Sequence, residues 1–247
     1  MFTRRIALAL IAAMAAMSAA PVALAQQKAA KPLRITVYGG SGAIGSRIVA
    51  EAVARGHTVT VVDRTPKADS APAGVTVVQG DVFDVPGISR HIAGQDVVVT
   101  AVAARPVPTR DFYVRLVQGV VQAQRAQPAP RTRYLVVGGA SSLEVEPGKR
   151  LADTLAATLP EGSRNEILSM VDALDWLRTV SDVPWTFFSP AGSIGPGQRT
   201  GTFRVGGDQL LRDDKGQSRI SYEDYAVAML NEIESPRFPN KRFTVAY

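Results

Sequence analysis

The sequence predicts an α/β fold: one doubly wound, mostly parallel sheet with helices on both faces and a small C-terminal lobe carrying the substrate loop. Three observations lead there. From Leu33 onward, short β-branched runs alternate with longer amphipathic stretches, the order expected of βαβ units. Most of the short runs are nearly all apolar, as strands covered on both faces should be. A glycine triplet sits where the first such run gives way to the first helix.

The candidate strands are Arg34–Tyr38, Thr58–Val62, Val75–Gln79, Asp96–Ala101, Arg133–Val137, Trp185–Ser189 and Phe243–Ala246. Helical periodicity covers Ala43–Arg55, Thr109–Gln127, Leu151–Leu159, Arg164–Thr179 and Tyr222–Glu234, with Gly56, Pro128 and Pro236 marking ends. The stretch from Gly192 to Gly216 is rich in glycine and has no period. It follows the sixth strand, at the carboxyl edge where open α/β sheets hold their ligands, so residues 190–220 are expected to form a substrate loop or lid.

With 247 residues and 46% hydrophobic content, the chain can bury one sizeable core, and a single domain over residues 33–247 is expected. Residues 1–25 read instead as a signal peptide: Arg4 and Arg5 precede an apolar run from Ile6, and Ala23-Leu24-Ala25 offers small residues for cleavage. Residues 26–32 follow as a short polar linker. Thr3-Arg4-Arg5-Ile6-Ala7-Leu8 further resembles a twin-arginine signal, the route for folded, loaded proteins, which points to the periplasm. Losing the signal lowers the formal charge only from +6 to +4 and leaves nothing to hold the chain on a membrane. The remaining basic residues are scattered, so no nucleic-acid partner is expected. There is no cysteine for a disulfide or a thiol nucleophile, and two histidines are too few for a histidine-rich metal site, so no metal is expected.

The sharpest signal is Val37-Tyr38-Gly39-Gly40-Ser41-Gly42-Ala43-Ile44-Gly45. In a Rossmann-type reading, Gly39 permits the tight turn, Gly42 lets backbone approach a diphosphate, and Gly45 lets the helix pack closely. Ser41, Ala43 and Ile44 complete the loop, whose free N–H groups and positive helix dipole face the anion. The cofactor is expected to be NADP or NAD. Asp63, after the second strand, suits the ribose hydroxyls of NAD, whereas Arg64, with Lys67, suits a 2′-phosphate and weighs toward NADP. A carboxylate facing a phosphate is repulsive, so NADP requires Asp63 to turn away. Asp81 and Val82, ending the third strand, are placed for the adenine, and Val102 and Ala103, ending the fourth, for the channel to the nicotinamide.

Several further pieces carry a family resemblance: Asp63-Arg64, Gly80-Asp81, Gly138-Gly139-Ala140-Ser141-Ser142, Ala173-Leu174-Asp175-Trp176-Leu177-Arg178, Trp185 to Pro190, and Ile220 to Tyr225. With the glycine loop they make Leu33 to Tyr247 similar to the atypical short-chain dehydrogenases/reductases, and more narrowly to the NAD(P)H-binding NADH-flavin reductase group that includes relatives of biliverdin reductase B. That resemblance implies hydride transfer from the nicotinamide to a small-molecule acceptor such as a flavin.

The standard catalytic pair of these enzymes, Tyr-x-x-x-Lys, is absent: none of the six tyrosines has a lysine four residues on. Alcohol–ketone chemistry through a lysine-activated phenolate is therefore not expected. A conjugated acceptor escapes the requirement, because hydride passes to its ring and solvent supplies the proton. Ser141 and Ser142 are the candidate catalytic hydroxyls, with loop capping as their other reading; Gly138 or Gly139 stands where the family's serine usually does. A non-catalytic, redox-sensing NAD(P)-binding protein of the envelope is the alternative function. His57, His91, Trp176 and Trp185 read as structural residues.

Overall fold

The computed structural model describes residues 31–66, 71–103, 107 and 109–247; the expected signal peptide, most of the linker and Lys67 lie outside them. The chain opens with β1 (Arg34–Tyr38), α1 (Ala43–Ala54), β2 (Thr58–Asp63) and β3 (Thr76–Gln79). Next come α2 (Val85–Ile92), β4 (Val97–Thr100), α3 (Phe112–Arg125) and β5 (Arg133–Val137). A 3-10 turn at Ala140–Ser142 leads to the short strands β6 (Glu144–Glu146) and β7 (Lys149–Arg150), then α4 (Leu151–Leu155) and α5 (Glu161–Leu177). The chain closes with β8 (Trp185–Ser189), β9 (Ser193–Gly195), β10 (Arg204–Gly206), β11 (Arg219–Ser221), α6 (Tyr222–Glu234) and β12 (Lys241–Ala246).

Eight strands form the central sheet in the order β10-β12-β8-β5-β4-β1-β2-β3. All neighbours are parallel except β10, which runs antiparallel to β12 on the edge. The strand order reverses direction between β1 and β4, and the connections after those two strands lead to opposite faces of the sheet. That is the switch point at which such sheets open a crevice for ligands.

Alternation along the buried strands divides the core into two layers. Val37, Val97, Val99, Leu135 and Phe188 point to the face covered by α1 and α6. Their neighbours Tyr38, Val98, Tyr134, Val136 and Phe187 point to the face covered by α2, α3 and α5. A strand buried on both faces cannot alternate polar with apolar, which is why these runs read as continuous hydrophobic stretches. Under α6, Phe188 stacks on Tyr225 at 3.9 Å and on Phe243 at 4.0 Å, joining β8, α6 and β12.

Four elements differ from the sequence reading. Helix α2, over Val85–Ile92, is not among the expected helices; Pro86 is tolerated because it falls in the first turn, where its missing N–H has no partner to lose. Helix α5 starts at Glu161. The helix expected over Leu151–Leu159 stops at Leu155 and tightens into a 3-10 turn. The aperiodic stretch before Gly216 holds β9 and β10; β9 pairs with β11, beyond that stretch, in a two-stranded sheet of the C-terminal lobe. These strands are three residues long, too short for a period to show.

Candidate dinucleotide site

The glycine loop has the geometry that close approach demands. Gly39 adopts φ +75°, a left-handed conformation, and donates its N–H to the Val62 carbonyl at 3.1 Å. A Cβ there would lie 2.6 Å from the Ala101 carbonyl oxygen, so β4 presses on the turn from the other side. At Gly45 a Cβ would lie 2.1 Å from the Gly39 carbonyl oxygen: α1 is seated directly on the loop. Gly42 is the N-cap of α1, with extended backbone at φ −72° and ψ 171°, and a Cβ there would be 3.2 Å from the Gly39 oxygen.

No side chain caps α1 and no acid stands in its first turn. The N–H groups of Ala43, Ile44 and Gly45 have no carbonyl one turn back within the helix, so they and the dipole face the crevice as an anion site. Asp63 borders it: its Oδ2 accepts the Ser41 N–H at 3.2 Å, so the carboxylate faces the glycine loop and has not turned away. Arg64 is exposed, and its carbonyl accepts from Gln79 Nε2 at 3.1 Å. Beside this end, a cleft of about 280 Å³ is lined by Gly40, Ser41, Ser46, Val61, Pro72 and Val77.

The other expected contacts are spread along the same edge. Asp81 is exposed and its Oδ1 accepts the Phe83 N–H at 2.9 Å, while the Val82 side chain is buried, which leaves Val82 only its backbone to offer. Val102 lines a small apolar cavity with Thr100, Tyr113, Met170 and Phe187, and Ala103 beside it is exposed. Of the two glycines that stand where the family's serine usually does, Gly138 has no room for a side chain, since a Cβ there would lie 2.1 Å from the Phe187 ring, and at Gly139 a Cβ would lie 3.3 Å from Met170.

The candidate catalytic serines have their hydroxyls engaged within the protein. Ser141 Oγ donates to the Ile167 carbonyl at 3.0 Å. Ser142 is 1% exposed; its Oγ donates to the Gly139 carbonyl at 3.2 Å and lies 3.4 Å from Ser189 Oγ. This is the loop-capping geometry, and neither hydroxyl is held out toward the crevice.

Three of the six tyrosines are committed as well. The Tyr38 hydroxyl meets His91 Nδ1 at 2.9 Å, the Tyr134 hydroxyl meets Thr100 Oγ1 at 2.9 Å, and Tyr225 donates to the Phe188 carbonyl at 2.7 Å. Burial pushes the pKa of each of these three phenols far above the usual value, with Asp84 adding to the rise at Tyr38. None is available as a phenolate near neutral pH. His57 is buried between the Leu33 N–H and Glu234, and Trp185 is buried with its indole N–H on the Val180 carbonyl, so both are structural.

Reading by composition missed the residues that hold the stretch 192–216. Asp224, fully buried, accepts from Thr200 N at 2.8 Å, Thr200 Oγ1 at 2.6 Å, Gly201 N at 2.7 Å and Tyr247 Oη at 2.8 Å. Arg199 pairs through two nitrogens with Glu51, whose carboxyl is held below its ordinary pKa first by Arg199 and then by Arg55. Farther along, Asp208 is held by Arg178 and by the buried Arg242. The Ser-x-x-Asp pattern at Ser221 was legible as a helix start, and Ser221 Oγ does cap the Asp224 N–H. The partners of the Asp224 carboxylate were not, since they come from 23 and 24 residues away.

A parallel sheet with a switch point, a glycine turn against a strand and an uncapped helix N-terminus define a dinucleotide-binding α/β protein. The chain belongs to the NAD(P)H-binding family, whose model matches residues 39–236, and its fold is that of the atypical short-chain dehydrogenases/reductases. It is 36% identical over 216 residues to YwnB, an uncharacterized protein of Bacillus subtilis, covering 86% of this chain and 98% of that one. Among solved structures it is similar to a Burkholderia pseudomallei protein described as exported, at 44% identity and TM-score 0.77, covering 87% of this chain and all of the other. It is also similar to a Streptococcus pneumoniae protein described as an NADH-flavin reductase, at 32% identity and TM-score 0.75, covering 87% and 99% of the two chains.

Proposed function

We propose that this protein is an NADH-dependent reductase that passes hydride to a flavin or another conjugated ring. The observation that carries the reading is a complete glycine-loop site beside buried, committed phenols with no Tyr-x-x-x-Lys pair. Bound at this edge, the dihydronicotinamide supplies the hydride. The chain contributes backbone N–H groups for the diphosphate, Asp63 for the ribose, and the apolar surface of Val102 and Met170 to orient the reacting rings. Ser141 and Ser142 shape the adjoining loop. A proton, where the acceptor needs one, comes from solvent. The description of the Streptococcus relative as an NADH-flavin reductase supports this acceptor class.

Residue types alone weigh toward NADP, and the position of Asp63 reverses that weighting. Its carboxylate stands against the loop, where it accepts a diol well and repels a 2′-phosphate. The full chain, mixed with NADH or NADPH and a panel of flavins and quinones, is expected to oxidise NADH in preference. Asp63→Ala should weaken NADH binding by on the order of tenfold or more, the loss of hydrogen bonds to a charged acceptor. Arg64→Ala should leave NADH turnover within about twofold, since a charge on the open surface contributes little to a cofactor without the 2′-phosphate. Tight binding of dinucleotide without turnover on any acceptor would instead assign a redox sensor. A collapse of NADPH turnover in Arg64→Ala would assign NADP.

We further propose that the protein folds around its cofactor in the cytoplasm and crosses to the periplasm by the twin-arginine route. The Burkholderia relative's description as exported and the Arg4-Arg5 pair ahead of an apolar run support this. Changing both arginines to lysine should abolish export in a cell fractionation, and unchanged export would overturn the route.

A further inference from the structure

The segment after β8 is tied down along its length. Besides Asp224 and Glu51, its far part is held by backbone: Glu144 N–H donates to the Asp208 carbonyl and Leu210 N–H to the Glu144 carbonyl, both at 2.8 Å. One tie reaches the cofactor helix itself. Glu223 in the first turn of α6 receives Gly197 N–H on Oε2 at 2.9 Å and Arg47 Nε on Oε1 at 3.2 Å. Arg47 belongs to α1, one turn past the glycine loop, and its guanidinium lies over the Tyr222 ring at 5.9 Å. The N-terminal ends of α1 and α6 and residue 197 are thus joined through one carboxylate.

We propose that Arg47 and Glu223 are a positioning pair that fixes the Gly197 segment as a standing wall of the acceptor site, in register with the helix that binds the dinucleotide. This rests on the reductase reading for the identity of the acceptor, but the geometry of the wall does not. A segment held in this way is preformed, in place of the closing lid that its glycine content suggests. The acceptor then meets a surface whose ordering cost has already been met in folding.

Hydrogen exchange and kinetics on the full chain test it. In Arg47→Met, exchange of the Gly197 amide is expected to rise on the order of fivefold, the scale of a partly exposed ion pair. The acceptor KM should rise by a similar factor, with kcat and the NADH dissociation constant within about twofold of wild type. Arg47→Lys should recover most of the effect, because it restores the charge. Glu223→Gln removes the charge that pairs with Arg47 and also makes the acceptor of the Gly197 N–H neutral, so it should raise exchange at least as much as Arg47→Met, and Arg47→Met added to it should change little. Unchanged exchange over residues 195–202 in Arg47→Met would overturn the proposal. So would faster exchange with an unaltered acceptor KM, which would reduce the pair to a loop anchor. If wild type oxidises NADH with none of the acceptors, the reductase reading fails, and the exchange data alone decide whether the wall is held by this pair.

Discussion

Gly42→Val is expected to weaken dinucleotide binding by on the order of a hundredfold or more while the protein remains folded. The backbone at Gly42 is extended, a conformation open to any L residue, and a Cβ there meets only the Gly39 oxygen at 3.2 Å and the Ala101 oxygen at 3.9 Å. Side chains at this N-cap therefore cost folding only about 1 kcal/mol or less. They project from the uncapped end of α1, where the diphosphate must touch backbone. Losing two charge-assisted hydrogen bonds of about 1.5–3 kcal/mol each accounts for the drop. Gly45→Ala makes the contrast. Its Cβ would lie 2.1 Å from one backbone atom and 2.9 Å from the next, so α1 must shift and the loss should register in stability first. Titration calorimetry with NADH, beside thermal melts of both variants, separates the two effects. An unaltered NADH affinity in Gly42→Val would remove the basis for placing the diphosphate here.

Asp224→Ala is expected to be among the most destabilising single changes in the chain. Four donors converge on that carboxylate: two backbone amides, the Thr200 hydroxyl and the Tyr247 hydroxyl. Truncation leaves them without their acceptor beside a buried position, at about 1–3 kcal/mol for each that stays buried, although Thr200 and Gly201 lie on the exposed side. Relaxation of the loop and entry of water recover part of this, so a net cost of about 3–5 kcal/mol follows. For a domain of this size that corresponds to a melting temperature lowered by roughly 10 °C. Asp224→Asn, which keeps one acceptor oxygen, should fall between. A melting point within about 2 °C of wild type in Asp224→Ala would show that the Thr200–Gly201 turn does not depend on this residue.

The two variants also mark how far the residues could be read in advance. Strands β1, β5 and β8 coincide with their expected limits, and α6 with both of its ends. Each carries a strong local signal: β-branched or aromatic runs long enough to show burial on both faces, or a capping serine followed by a full helical period. The glycine loop was equally legible, because its requirements are backbone requirements within seven residues. Helix α2 was obscured by Pro86-Gly87, and β9 and β10 by their brevity.

The candidate hydroxyls show a different limit. Ser141 and Ser142 are in the expected place along the chain, yet their hydroxyls turn to Ile167, Gly139 and Ser189. Sequence position locates a backbone; the direction of a short polar side chain depends on which acceptors other segments bring near. Asp63 makes the same point, since only the distance to Ser41 shows which way it faces.

From residues alone, then, follow the layered parallel sheet, seven of its eight strands and the anion-binding turn, because burial period and glycine geometry are properties of short windows. Tertiary structure decided the rest: that the stretch 192–216 is strapped along its length, that the Phe187 ring leaves no room for a side chain at Gly138, and that Arg47, Glu223 and Gly197 meet. Those contacts join residues up to 176 positions apart. Their partners are set by how helices and strands pack against one another, and no local pattern records that.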